Sequence, residues 1–327
     1  MEVLAADIGG TNARIAIVKG RHIEEKRVYA CREFKDPFEL FKRFLDDYGK
    51  KLPDFGCIAV AGRVEDNRVK MVNRDWIIDG DKLASLIGLK GLYVANDFQA
   101  AAMGVSILSE EDLVFLGGKP SKEHSPKVVI GPGTGLGEAI LVPYASGYEV
   151  LPTEGGHVDF APTDELQIGL LRFLKRHFSH VSIERILSGP GLVWIFKYFC
   201  EKEGVTPVDS FKEILETPKG PPAISKAAIN NQDEICVKTL SLFCKILGQE
   251  AGNMALKCLS RAGVYIAGGI APKIHTFLEK SEFRKAFEEK GRLKDFLKEV
   301  PTYIVINTEV GILGAGLLAE RKIEKMK

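Results

Sequence analysis

A chain of 327 residues is longer than one compact core usually allows, so we expect two domains. Apolar residues make up 45% and charged residues 27% of the sequence, which is the profile of a soluble globular protein. The 45 basic and 44 acidic residues leave a formal net charge of +1. This balance gives no electrostatic case for nucleic acid or an anionic membrane surface as the main partner.

Targeting signals and cysteine spacing point to the cytoplasm. The apolar run VGILGAGLLA near the end is too short to span a bilayer, and the first residues lack the basic and apolar regions of a signal peptide. The six cysteines show neither a C-x-x-C pair nor a histidine at zinc-binding spacing. We therefore expect free thiols in a reducing compartment.

The first third of the chain alternates between predicted strands and helices. Apolar runs at Val3–Ile8 and Ala13–Val18 flank a glycine turn and predict a hairpin. A helix is predicted from the N-cap Asp36 to Gly49 because Pro37 and Glu39 occupy favourable positions in its first turn. Buried strands are predicted at 55–62 and 91–97, and the second leads directly into the helical stretch FQAAAMGV.

The pattern starts again near residue 108. Residues 126–142, PKVVIGPGTGLGEAILV, repeat the order of apolar run, glycine-rich turn and apolar run, which indicates a weak internal duplication. The remaining elements, which complete an α/β pattern, are predicted helices at about 164–178, 190–203 and 232–259, a strand at 262–272, an exposed amphipathic helix at 281–300 and a helix from about Val310.

Two turns rich in glycine and threonine are candidates for phosphate binding. The sequence contains neither the G-x-x-x-x-G-K-[ST] motif nor G-x-G-x-x-G, so both common nucleotide fingerprints are missing. Glycines nevertheless let backbone N–H groups approach an anion, and Asp7 precedes the first turn where a hydrated Mg²⁺ could lie. Each turn alone is better explained as an ordinary tight hairpin, but two turns at equivalent places, with Asp7 before the first, favour phosphate binding.

Three polar segments carry side chains suited to a substrate site. Asn96 and Asp97 end a strand and begin a helix, so Asp97 is either an N-cap or a general base at the ligand-binding end of the sheet. Glu154, His157 and Asp159 lie within LPTEGGHVDF, where a sugar site, a metal site or a plain polar loop are all open. Glu184 and Arg185 lie near the start of a short predicted helix, where an ordinary surface ion pair would contribute little.

Taken together, the motifs resemble the bacterial glucokinase family. DIGGTNAR, ANDF, GPGTGLG, EGGHVDFAP, HVSIERILSGPGL and IAGGI occur in this order and cover nearly the whole chain. The resemblance implies the two-lobed α/β actin-like ATPase (ribonuclease H-like) fold, with a cleft between a small and a large domain. The ROK sugar kinases share an E-x-G-H element but follow it with a cysteine-rich zinc motif, which this sequence lacks.

The resemblance also implies a role for each site residue. The first phosphate-binding turn would comprise Ala6, Asp7, Ile8, Gly9, Gly10 and Thr11, with Asp7 near Mg²⁺ through water. Thr134 and Gly135 would approach the β- and γ-phosphates of ATP, and Gly268 and Gly269 the adenosine. Asn96 and Asp97 would contact the distal sugar hydroxyls, with Asp97 as base. Glu154, His157 and Glu184 would hold the hydroxyls on the anomeric side.

The implied function is ATP-dependent phosphorylation of D-glucose at the C6 hydroxyl, the entry to glycolysis. The small domain would comprise residues 1–107, completed by a C-terminal helix at 309–327, and the large domain residues 108–308. The family also implies a cytoplasmic homodimer. Three alternatives stay open: a kinase for another hexose or amino sugar, a non-catalytic sugar or nucleotide sensor, and an actin-like filament protein.

Overall fold

The computed structural model describes residues 1–71, 74–121, 124–145 and 147–326. Its internal contacts divide the chain into two compact units. The first unit consists of Met1–Asp112, Pro143–Leu151 and Asn307–Lys327, and the second of Leu113–Val142 and Pro152–Ile306. The predicted domain division at residues 107 and 108, with a closing helix at 309–327, stays a prediction, and the last residue of that helix lies outside the described residues.

The described residues form 13 strands and 12 α-helices. Up to residue 112 they are β1 (Glu2–Ile8), β2 (Asn12–Lys19), β3 (His22–Ala30), α1 (Pro37–Tyr48), β4 (Phe55–Val60), β5 (Arg68–Lys70), β6 (Ile77–Asp79), α2 (Gly80–Ile87), β7 (Gly91–Asn96) and α3 (Asp97–Val105). They continue as β8 (Leu113–Gly117), β9 (Lys127–Pro132), β10 (Leu136–Tyr144), β11 (Gly147–Pro152), α4 (Glu165–Leu174), α5 (Gly189–Glu203), α6 (Asp209–Leu215), α7 (Gly220–Ile229), α8 (Glu234–Cys258), β12 (Val264–Ile266), α9 (His275–Leu278), α10 (Phe283–Glu288), α11 (Lys294–Glu299), β13 (Thr302–Val305) and α12 (Val310–Met326).

The first unit is built on a sheet with the strand order β3-β2-β1-β4-β7. The predicted hairpin is confirmed, because β1 pairs antiparallel with β2 and Asp7 lies opposite Arg14. Strand β4 is parallel to both β1 and β7, so the carboxyl ends of all three strands meet at one edge of the sheet. This topology brings Asp7, at the end of β1, to the same edge as Asn96, at the end of β7.

Helix α1 follows its predicted signals closely. The N–H of Glu39 donates to the side chain of the N-cap Asp36 at 2.9 Å, and the helix ends at Gly49 with φ 65°. Its buried residues Leu40, Phe41 and Phe44 belong to the core on one face of the sheet. The predicted helix is therefore confirmed with both of its caps.

Helix α12 packs against the other face of this sheet and against α3 through glycines. A Cβ atom on Gly314 would overlap the carbonyl oxygen of Ala100 in α3. A Cβ atom on Gly104 would likewise overlap the carbonyl oxygen of Val310. The small residues that the sequence places on one face of α12 therefore allow two helix backbones to approach closely.

Substitution at this crossing is expected to destabilise the protein. Gly314→Ala should lower the free energy of unfolding by about 1–3 kcal/mol, because overpacking outweighs the gain of about 1 kcal/mol in helix propensity. Gly311→Ala, on the same helix, is the control, since its Cβ would meet only the carboxylate of Asp7 at 3.6 Å. Urea unfolding of both variants measures the difference, and equal midpoints would show that the crossing tolerates a methyl group.

The second unit repeats part of this topology. Strands β9 and β10 form the predicted antiparallel hairpin, and β12 lies parallel to both β9 and β13. The order β10-β9-β12-β13 therefore matches β2-β1-β4-β7, which confirms the duplication inferred from the sequence. The core of this unit surrounds α8 and includes Phe243, Phe283 and Phe287.

The predicted amphipathic helix at 281–300 is wrong. The segment forms two short helices, α10 and α11, joined by a turn in which Gly291 has φ 56°. Phe283 and Phe287 are buried in the core. Arg284 donates from Nη1 to the carbonyl oxygen of Val300, and from Nη2 to that of Leu297, both at 2.9 Å. The prediction failed because the charged residues suggested a solvent-exposed helix, whereas Arg284 forms hydrogen bonds with backbone carbonyl groups.

No helix in the described part of the chain combines the length and apolar content that crossing a membrane requires. All six cysteines, each among the described residues, are free thiols. Burial raises the pKa of Cys57 and of Cys244 to about 12, so both thiols stay protonated at neutral pH.

Candidate active site

The first candidate element is the turn between β1 and β2. Gly9 closes it by donating its N–H to the carbonyl oxygen of Asn12 at 2.9 Å. The N–H of Cys31 donates to the carbonyl oxygen of Thr11 at 2.8 Å, which ties the turn to the end of β3. Thr11 is exposed. The predicted residues Ala6, Asp7, Ile8, Gly9, Gly10 and Thr11 thus form the end of a buried strand and an accessible turn.

Asp7 lies just before this turn, in an ion pair that the sequence reading missed. Arg14 Nη1 donates to Asp7 Oδ2 at 2.9 Å from the neighbouring strand. Burial raises the pKa of Asp7, Arg14 lowers it, and the charge of Glu309 raises it, with a net upward shift. Arg14 is visible in the quoted DIGGTNAR, and its register opposite Asp7 is the signal that would have identified the pair.

Asn96 and Asp97 have separate roles at the start of α3. The amide oxygen of Asn96 accepts from the N–H groups of Phe98 and Gln99, at 2.9 and 3.2 Å, so Asn96 is the N-cap. The alternative in which Asp97 caps this helix is therefore wrong. Asp97 accepts only locally, from the N–H of Phe98 at 2.8 Å, and its side chain is solvent-accessible.

The environment of Asp97 suits a proton acceptor. Protein packed around the carboxylate raises its pKa, and the nearby charge of Asp7 raises it further, although one side stays open to solvent. The N–H of Phe98 partly offsets this shift. A carboxylate whose pKa lies above its ordinary value holds a proton better while remaining accessible to substrate.

The second glycine turn, between β9 and β10, includes Gly133, Thr134 and Gly135. It is held by Gly133 N–H donating to Gly135 O, and by the N–H of Gly189 donating to Gly133 O, both at 2.8 Å. A Cβ atom on Gly133 would meet no protein atom within 4 Å, so this backbone faces open space. After β12, at the same edge of the sheet, Gly268 adopts φ 81° against the carbonyl oxygen of Pro132.

A large apolar pocket of about 920 Å³ adjoins this turn. Its walls include Gly133, Thr134, Gly269, Trp194, Pro221 and Asn230. The structure thus brings the predicted Thr134 and Gly269 into one pocket. Trp194, Pro221 and Asn230 come from α5, α7 and a neighbouring loop, and no motif in the sequence identifies them as site residues.

Glu184 connects the turn to a second, polar pocket. The N–H of Leu136 donates to Glu184 Oε2 at 2.9 Å. A Cβ atom on Gly135 would lie 2.5 Å from the same oxygen. The polar pocket, of about 280 Å³, is lined by His157, Glu184, His180 and Arg185 among others. The sequence analysis did not select His180 or Arg185 as site residues, whereas it did select His157 and Glu184 through the family resemblance.

The loop at Glu154–His157 is held beside this pocket by backbone pairing. Residues 155–157 form one 3₁₀ turn, and a β-bridge joins Asp159 to Ser182 just before Glu184. His157 Nε2 lies 3.9 Å from Glu154 Oε2, and both side chains are mostly exposed. His157 and Glu184 are thus brought together at one pocket, with polar groups that have spare capacity for a ligand.

Comparison with known proteins identifies relatives along the whole chain. The family model described as Glucokinase matches residues 4–322. A glucokinase of Hahella chejuensis is 40% identical over 314 residues, which is 95% of each chain.

Solved structures agree with this similarity. A glucokinase from an Antarctic psychrotroph superposes with a TM-score of 0.87 at 31% identity, covering 98% of this chain and 99% of the other. A ROK family glucokinase from Streptomyces griseus, in complex with glucose and AMPPNP, has a TM-score of 0.64 at 20% identity, over 98% and 100% of the two chains. The fold is thus the α/β actin-like ATPase fold of these sugar kinases.

Proposed function

This chain belongs to the glucokinase family and acts as an ATP-dependent glucokinase, and we propose that it transfers the γ-phosphoryl group to the C6 hydroxyl of D-glucose. One observation carries the proposal. The turn at Gly133–Gly135 borders the large apolar pocket through Gly133 and Thr134, and the polar pocket through the contact of Gly135 with Glu184. A nucleotide and a sugar bound on either side of this turn would bring phosphate and hydroxyl together.

On the nucleotide side, we assign the 920 Å³ pocket to the adenosine. Its apolar walls suit a purine and a ribose. Gly268 and Gly269 would lie against the adenosine, and Thr134 and Gly135 would approach the β- and γ-phosphates. The turn that includes Gly9, Gly10 and Thr11 would supply further backbone donors, since glycine lets N–H groups approach an anion.

On the sugar side, Glu154, His157 and Glu184 would hold the hydroxyls near the anomeric carbon. Asn96 and Asp97 would contact the distal hydroxyls. The exposed oxygens of Glu154 and the spare oxygen of Glu184 are acceptors for vicinal hydroxyl groups, and charged acceptors give the stronger hydrogen bonds.

In the transfer, the C6 hydroxyl oxygen of glucose attacks the γ-phosphorus. Asp97 would take the proton of this hydroxyl, and the bond to the leaving ADP oxygen breaks. General-base help is worth about 10²–10⁴-fold in rate. Because phosphoryl transfer needs little covalent chemistry from the protein, alignment of the two substrates would supply much of the remaining acceleration.

The residues at the carboxyl edge of the first sheet fit a magnesium ion held partly by ATP. Mg²⁺ prefers oxygen donors and usually binds one or two carboxylates together with substrate phosphates. Asp7 provides such a carboxylate, and within the described residues no group of three or more acidic, histidine or cysteine side chains could form a complete cage. We propose that Asp7 holds Mg²⁺ through water. When bound, the ion neutralises phosphate charge.

Gly133 offers a clean test of the nucleotide assignment. Gly133→Ala is expected to raise the KM for ATP by about tenfold or more, because its methyl group would occupy the open space beside the phosphate-binding backbone. The KM for glucose and the unfolding midpoint should stay unchanged, since the methyl group contacts no protein atom. Gly20, with its φ of 59°, makes a poor control, and so does Gly311, because its Cβ would lie 3.6 Å from the carboxylate proposed to hold Mg²⁺. An unchanged KM for ATP would contradict the assignment.

The function itself is tested by coupling ADP release to a spectrophotometric assay across a panel of hexoses and amino sugars. We expect glucose to be the preferred acceptor and glucose 6-phosphate the product. Preference for another hexose would support the alternative kinase, and saturable sugar binding without ADP release would support a sensor.

We further propose that the enzyme works in the cytoplasm at the entry to glycolysis, as a homodimer. The six free thiols support a reducing compartment, and the family resemblance supports the dimer. We retain the proposed division into a domain of residues 1–107, completed by 309–327, and a domain of residues 108–308. Analytical ultracentrifugation would test the dimer directly.

A further inference from the structure

Glu138 is a buried carboxyl group that the reaction does not use. It lies in β10, two residues beyond the main-chain N–H that binds Glu184, and it is 2% exposed. Neither side-chain oxygen has a hydrogen-bond partner among the described residues. A buried carboxyl group without a donor is stable only in its neutral form, because ionisation would leave an uncompensated charge.

Glu138 supports the loop that carries Glu154 and His157. A Cβ atom on Gly155 would overlap Glu138 Oε2 and would lie 2.8 Å from its carboxyl carbon. Thr153 donates its hydroxyl to the carbonyl oxygen of Glu138 at 2.9 Å, and accepts from Gly155 N–H at 3.1 Å. The carboxyl group therefore packs directly against Gly155, which lies in the sequence between the proposed sugar-binding residues Glu154 and His157.

We propose that Glu138 is a positioning residue for glucose binding, which supports the loop at Thr153–His157 as a neutral acid and releases it when it ionises. This inference rests on the proposed function of Glu154 and His157. Glucose binding would then depend on pH through Glu138. Changes at Glu138 would alter the KM for glucose and leave kcat nearly unchanged.

Two charged side chains of the second unit, Glu250 and Lys257, act on Glu138. Burial raises its pKa to about 8, the charge of Glu250 contributes to the increase, and Lys257 opposes it. Both lie on α8, where Asn253 donates to Glu250 Oε2 at 3.0 Å and Lys257 Nζ lies 3.8 Å from Oε1. Lys290 donates to Asn253 at 2.6 Å from outside that helix.

The raised pKa of Glu138 determines how the stability of the folded chain changes with pH. Between its ordinary value of 4.5 and about 8, Glu138 keeps its proton in the folded chain but loses it in the unfolded chain. The folded state then binds more protons, so its stability falls as pH rises through this window and levels off above it. Glucose affinity behaves differently, because the folded loop changes only when Glu138 itself ionises, near pH 8 and above.

The decisive measurement is the KM for glucose of the full-length enzyme between pH 6.5 and 9.5, beside kcat and the KM for ATP. We expect the wild-type KM for glucose to rise by about tenfold per pH unit above the transition. Glu138→Gln, which keeps the shape and neutrality of the acid, should retain the low KM and abolish its pH dependence. A wild-type KM that is flat with pH, or a rise that persists in Glu138→Gln, would overturn the inference.

A size exchange tests the contact independently of pH. Gly155→Ala and Glu138→Ala should each raise the KM for glucose on the order of tenfold at pH 7, with kcat nearly unchanged. The double variant should recover part of the loss, because removal of the carboxyl group makes room for the methyl group. Additive losses would contradict a direct contact.

Controls separate this inference from the proposed function. Thr239 on α8 is a matched control, because its hydroxyl group is also buried and has no hydrogen-bond partner among the described residues. Thr239→Val should leave the KM for glucose unchanged. Circular dichroism and urea unfolding at each pH show whether each variant is folded. If the wild-type enzyme released no ADP with glucose, the proposed function would fail. If it turned over normally but Glu138→Ala left the KM unchanged, only the role of Glu138 would fail.

Discussion

Asp97→Asn is expected to lower kcat by at least about 10²-fold while glucose binds almost as well as to the wild-type enzyme. An amide is nearly the same shape as the carboxylate, and its oxygen can still accept from the N–H of Phe98. It cannot take a proton from a hydroxyl group at neutral pH. The variant therefore removes the chemistry and keeps the geometry.

The local structure indicates that Asp97→Asn changes the proposed base without disturbing the fold. The cap of α3 is Asn96, so changing Asp97 leaves both capping hydrogen bonds in place. The substitution also relieves the repulsion between Asp97 and Asp7, which raises the pKa of Asp97. We expect the variant to be at least as stable as the wild-type protein, so a loss of rate cannot be ascribed to unfolding.

Steady-state kinetics and calorimetric titration with glucose provide the measurement. Asp209→Asn is a matched control, because Asp209 is exposed and pairs with Lys212 at the surface. The acid limb of the wild-type kcat profile should lie above the ordinary aspartate pKa of 3.8, since the base must be ionised and its pKa is raised. If Asp97→Asn retained kcat within a few-fold of wild type, Asp97 would not be the base.

Much of the fold could be predicted because its signals are local. The hairpins β1–β2 and β9–β10 and helix α1 follow from apolar runs, glycine turns and caps within a few residues. Asn96 and Asp97 are predicted as candidate site residues for a similarly local reason, since a polar pair that ends a buried strand is conspicuous. Where the sequence reading failed, as at Arg284, a charged side chain was recruited into the fold by backbone carbonyls of another segment.

Other parts of the site could not be predicted because they depend on tertiary contacts. The large pocket combines motif residues such as Thr134 and Gly269 with side chains such as Trp194 and Asn230, which belong to no quoted motif. Glu138 reads as one polar residue in a strand, and nothing in its neighbours reveals that Gly155 lies against it. The ion pair between Asp7 and Arg14 differs from these, because the length of the predicted hairpin turn determines the strand register and could have identified it.

The second large effect is expected at the two glutamates proposed for the sugar. Glu154→Ala should weaken glucose binding by about 1.5–3 kcal/mol for each hydrogen bond to the carboxylate, which is about 10- to 150-fold per bond. The KM for ATP should not change, because the side chain of Glu154 is exposed and its nearest charged partner is His157 at 3.9 Å. His157→Ala should behave similarly.

Glu184→Ala should weaken both substrates. Its carboxylate accepts from the N–H of Leu136 and lies against Gly135, so its loss releases the turn that borders the nucleotide pocket. Glu184→Gln can still accept from Leu136 and should spare ATP while weakening glucose. For the same reason Gly135→Val is a poor test of phosphate binding, because its side chain would collide with Glu184 and disturb both substrates at once.

Titrations with glucose and with ATP, performed separately on Glu154→Ala, Glu184→Ala and Glu184→Gln, distinguish these contributions. We expect Glu154→Ala to lose affinity for glucose alone and Glu184→Ala to lose affinity for both substrates. Glu184→Gln should lose affinity for glucose alone. If Glu184→Ala kept its affinity for ATP, the turn would hold its shape without that carboxylate. If Glu154→Ala kept its affinity for glucose, the loop would not bind the sugar, and the charge-assisted hydrogen bonds proposed for it would have to come from other residues of the polar pocket, of which His180 and Arg185 are the nearest candidates.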